Sequence, residues 1–138
     1  MFSPEFVNVP GGIVSKDVSI GYFERAKRYM ETTLSLVGIE KMSLKGLEGL
    51  AIEYSCARFI EAEAKFMVTN GREHSRFEGE MARWYKSFNE SIDGNWIPLL
   101  EEIAIEADSI KCDIFANDER IKLANSLSTL YSRLATGI

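Results

Sequence analysis

The sequence predicts an all-α protein of about five helices, with a long central helix in a helical bundle. Two observations carry this reading. Apolar residues recur at three- and four-residue steps through most of the chain, the period of one helix face. Between these segments stand helix punctuators, such as Gly38, Ser43, Asn70-Gly71, Asp93-Gly94 and Asn117, and no alternating apolar/polar run is long enough to build a sheet. At 138 residues the chain has the length of a single domain and can bury a substantial core.

The first 16 residues contain Pro4, Pro10 and Gly11-Gly12, and are expected as an extended arm. From an N-cap at Asp17 or Ser19, Ile20, Phe23, Lys27, Met30, Leu34 and Val37 describe a first helix that stops at Gly38. Ser43 opens the second, SLKGLEGLAIEYSCARFIEAEAKFMVTNG, which runs without proline to Asn70-Gly71 and would be ~40 Å long. Its apolar residues form two faces, with Leu47, Leu50, Tyr54 and Ala57 on one and Ile52, Cys56, Phe59, Ile60 and Phe66 on the other. A helix apolar on two faces needs cover on more than one side, either inside a bundle or against a neighbouring subunit.

A third helix is expected from about His74 to Ile92, with Phe77, Met81, Trp84, Tyr85 and Phe88 along one stripe and Asp93-Gly94 closing it. The fourth starts at Asn95 and accepts Pro98 in its first turn, where no amide donor is needed. Asn117 caps the last, Asp118 and Glu119 complement its positive end, and Leu123, Leu127, Leu130 and Leu134 follow as an apolar seam.

Charge and motifs narrow the functional classes. With 16 Lys and Arg against 21 Asp and Glu the net charge is -5, so any contact with nucleic acid must be local. Residues 1–46 carry six basic and five acidic side chains, which makes this third the more anion-facing part. Its Lys16, Arg25, Lys27, Arg28, Lys41 and Lys45 are the candidate phosphate contacts; the alternative is a solvated face interleaved with Glu24, Glu31 and Glu40. Cys56 and Cys112 are too far apart for a zinc site or disulfide framework and suit a reducing compartment. No export signal or membrane span is indicated.

Catalytic constellations are not found. Glu61, Glu63, Glu73, Glu78 and Glu80 are abundant, but the Glu-x-x-His pairs of a bundle di-iron centre are missing, because His74 is the single histidine and Gly71 stands three residues before it. His74 could act as a base, yet it stands among Arg72, Glu73 and Arg76 in a turn, where an exposed histidine is ordinary. There is no nucleophile elbow or P-loop. No catalytic residue, metal or cofactor is expected.

The segment YFERAKRYMETTLSLVGIEKMSLKGLEGLAIEYSCARFIEAEAKFMVTNG resembles the phage terminase small subunits. The residues that carry the likeness are Leu34 to Gly38, Ser43, Leu47, Leu50, Ala51, Tyr54, Arg58, Ala62, Glu63 and Gly71, together with the tail IKLANSLSTLYSRLATGI. Residues 72–117 are longer than expected between the two matching parts, and no basic helix-turn-helix is visible. The resemblance implies a non-enzymatic homo-oligomeric ring in the host cytoplasm that recognises double-stranded viral DNA and hands it to the terminase large subunit or the portal. The N-terminal basic cluster would contact DNA, and Ile52, Phe59, Phe66, Leu123, Leu127, Leu130 and Leu134 would form subunit contacts. Two other classes remain open at this point: a head-completion or connector protein seated on the portal, and a small helical hydrolase or metal protein.

Overall fold

The computed structural model describes residues 6–9, 12–15 and 39–137. It is an all-α fold with a small antiparallel hairpin, β1 (Phe6–Val9) and β2 (Gly12–Ser15), at its N-terminal end. After a 3₁₀ turn at Ile39–Lys41 come α1 (Leu44–Val68), α2 (Gly71–Ile92), α3 (Ile97–Lys111) and α4 (Asp118–Gly137). The first helix expected from the sequence lies outside the described residues.

The hairpin differs from the extended arm expected there. Val7 pairs with Val14 and Val9 with Gly12, which leaves two positions of sequence between the strands. Phe6, Val7, Val9, Ile13 and Val14 are β-branched or aromatic, and two short runs of that kind around a two-residue link are a hairpin pattern.

The helical boundaries follow local chemistry. Ser43 has extended backbone, and its hydroxyl accepts from the Gly46 amide at 3.1 Å, satisfying one of the free donors of the first turn. Gly71, at φ 61°, lies in the left-handed region expected for it. Only Thr69 and Asn70 separate α1 from α2, which begins three residues earlier than the sequence pattern indicated. Gly94, at φ 89°, makes the next reversal, and the Asn95 side-chain oxygen accepts from the Ile97 amide at 3.3 Å. Asn117 caps α4 as expected, accepting from the Arg120 amide at 2.9 Å.

Helices next to one another in sequence pack together, α1 also meets α4, and the core lies between them. It is built from Leu47, Leu50, Ala51, Tyr54, Ala57, Phe59 and Ile60 of α1, Trp84 of α2, Leu99, Ile103, Ala107 and Ile110 of α3, and Leu123, Leu127, Leu130 and Leu134 of α4. Ile52 and Cys56 are half-buried against it, so both faces of α1 are covered to a large degree within the chain. Tyr54 and Trp84 meet edge to face, with centroids 6.1 Å apart. Among the described residues, no helix is long and apolar enough to cross a membrane.

Candidate functional site

The entry to α1 is the part of the described structure best suited to an anion. Lys41 closes the 3₁₀ turn and Lys45 stands in the first turn of α1. Both are exposed, and neither has an ion pair among the described residues. Because α1 starts at Leu44, Lys41 precedes the helix and Lys45 stands within it, so the two flank its entry corner and do not share a helical face. The first turn of α1 contains no acid to complement its positive end. Arg133 braces this corner from α4, its Nη1 donating to the carbonyls of Ile39 at 2.9 Å and Met42 at 2.6 Å. Glu40 and Glu48 are the acids closest in sequence. Lys16, Arg25, Lys27 and Arg28, the other expected phosphate contacts, lie outside the described residues.

Arg133 was not singled out from the sequence. Its partners are backbone carbonyls more than ninety positions away, and no spacing within one helix signals such a contact.

The expected subunit-contact residues have a different place. Leu123 is 1 % exposed, and Leu127, Leu130 and Leu134 are 0 %. They therefore spend their apolar surface inside the protomer and offer none to a neighbour. Phe59 is also buried, packed on Tyr85 with centroids 5.2 Å apart. Ile52 is half-buried, and so is Phe66, which stacks on His74 at 4.0 Å. Among the described residues, the large apolar side chains with the greatest exposure are elsewhere, at Ile114 and Phe115 in the loop between α3 and α4.

The single histidine and most of these acids have structural partners. His74 Nδ1 lies 3.0 Å from the Phe66 carbonyl and 3.2 Å from that of Thr69, so it donates to the free carbonyl end of α1. Glu61 pairs with Arg58 and Lys65, while Glu73 and Glu80 both approach Arg76. Glu63 is buried and Glu78 exposed. Among the described residues no three metal-ligating side chains converge. Burial, with Glu53 nearby, pushes the Cys56 thiol up from its ordinary value, which makes it a poor nucleophile.

Among the described residues, ionic contacts join α3 to α1 and to α2. Arg58 of α1 donates to Glu61 at 2.8 Å and to Glu106 of α3 at 2.9 Å, and its guanidinium lies over the Trp84 ring at 5.6 Å. Burial works against its charge, but Tyr54, Glu106, Glu61 and Glu80 outweigh that and hold its pKa above the ordinary value. Arg83 of α2 meets Glu102 of α3 at 3.3 Å. Beside this second pair lies a cleft of about 390 Å³, between the last turns of α2 and the first of α3.

No family model, curated protein or solved structure matches the chain.

Proposed function

We propose that this chain is a viral DNA-packaging protein of the terminase small-subunit kind. It assembles with copies of itself, touches the backbone of double-stranded DNA, and passes the genome to the ATP-driven large subunit. The observation that carries this reading is the α1 entry, where Lys41 and Lys45 stand exposed, without an ion pair among the described residues, beside a helix N-terminus with no acid in its first turn. Such a corner favours phosphate oxygens through charge and free amides together. The resemblance of the α1 and α4 sequences to that family supplies the rest, and the all-α architecture is compatible with it.

Fluorescence anisotropy with a labelled duplex, over a range of salt concentrations, tests the reading. Binding should weaken linearly in log-log form as salt rises, and Lys41→Glu with Lys45→Glu should lower the slope by about one per lysine. Native mass measurement with and without the duplex should show an assembly that shifts on adding DNA. A monomer that ignores DNA at low salt would overturn the proposal.

A further inference from the structure

Arg133 of α4 has a donor edge that the fold leaves unspent. Its Nη1 donates to the carbonyls of Ile39 at 2.9 Å and Met42 at 2.6 Å, which occupies both hydrogens of that nitrogen. A guanidinium spreads its N–H donors over three nitrogens in one plane, so those on Nε and Nη2 remain. Neither of these two nitrogens has a hydrogen bond among the described residues. Arg133 is half-buried, and neither nitrogen is closed off from solvent.

Other arginines that tie helices together each meet a carboxylate. Arg58 pairs with Glu61 and Glu106, and Arg83 with Glu102. Arg133 has no ion pair among the described residues, although Glu40 lies in the very turn it holds. Nε and Nη2 share one side of the guanidinium, the edge that takes two oxygens of a single carboxylate or phosphate in parallel. Lys41 and Lys45 flank the same corner, so with Arg133 they outnumber its acids, Glu40 and Glu48, and leave it net positive.

We infer that Arg133 grips a phosphate group through its Nε–Nη2 edge, with Lys41 and Lys45 adding charge beside it. The lysines are point charges on long flexible stems, whereas the guanidinium is already held by two backbone carbonyls and loses less freedom on binding. Arg133 therefore fixes where the phosphate sits, and the lysines strengthen the attraction. This deepens the proposed function by naming the residue that holds a DNA phosphate at the α1 entry, and it rests on that reading for the source of the phosphate.

Arginine side-chain NMR tests it on the wild-type chain. The Arg133 Nε–H resonance, assigned through the side-chain carbons, is followed while inorganic phosphate, and separately a short DNA duplex, is added. Both should move it saturably. Arg133→Lys keeps the charge but loses the paired donors, so it should bind the duplex about ten-fold more weakly with the salt slope of wild type. A brace acting through Nη1 alone would leave the Nε–H resonance where it is. A resonance unmoved in both titrations would therefore overturn the inference. So would a duplex that binds while the resonance stays put, a result that leaves the packaging reading standing. A resonance that moves with inorganic phosphate while the duplex fails to bind would do the reverse, keeping the phosphate site and sinking the packaging reading.

Discussion

Arg58 of α1 reaches Glu106 of α3 across 48 positions of sequence, at 2.9 Å, with both side chains only 15 % exposed. A buried pair of this kind adds little net stability when formed but costs much when one partner is removed, because the other is left charged and unpaired. Arg58→Ala should therefore destabilise the fold by about 3 kcal/mol, while Arg58→Met with Glu106→Leu should recover most of the loss. Urea denaturation of the two variants checks this.

Glu102 gives a pH signature. Desolvation raises its pKa, and Arg83 only partly opposes this. A folded-state pKa above the unfolded value means that the native state holds the proton to higher pH, so this group's contribution to stability falls as pH rises through the region above the ordinary glutamate value. Glu102→Gln does not titrate and should gain stability relative to wild type across that window. Parallel denaturation curves at several pH values measure the difference, and a constant gap would contradict the assignment.

Two glycines should respond to alanine with opposite signs. Gly94 turns the chain from α2 into α3 at φ 89°, where a side chain is strained, and Gly94→Ala should cost about 1–2 kcal/mol. Gly49 is inside α1, and a Cβ there meets nothing within 4 Å. Gly49→Ala should add roughly 0.5–1 kcal/mol through helix propensity. Thermal melts decide both.

The α4 leucines offer a test of core against interface. With Leu127 0 % exposed inside the chain, Leu127→Ala should destabilise the monomer by about 3 kcal/mol through lost burial and the cavity left behind. The loss should not depend on protein concentration, as dissociation of a subunit contact would. Phe59 should behave in the same way, so a polar residue there would damage folding before it separated assembly from folding. Denaturation midpoints at two protein concentrations settle the matter.

Much of the local structure was legible because its causes are local. The Ser43 cap, the left-handed Gly71, the Gly94 reversal and the Asn117 cap each depend on groups within a few positions. The Leu123, Leu127, Leu130 and Leu134 stripe was equally visible, but a stripe reports only that a face must be covered. In the structure α1 and α3 help to cover it, which removed these leucines from the expected subunit contacts. The hairpin is hard to read from the sequence because its strands are four residues each and the proline and glycines around them have the composition of a loop.

The sequence by itself determined the helical class, most helix boundaries and the amphipathic faces, since periodicity and capping act over one or two turns. Tertiary structure alone decided which faces were consumed within the chain. It also joined Arg58 to Glu106, braced the Lys41–Lys45 corner through Arg133, and left Ile114 and Phe115 uncovered at the far end of α3 from the cleft. These outcomes depend on how helices far apart in sequence pack, and burial, unlike capping, belongs to the pair of surfaces that meet.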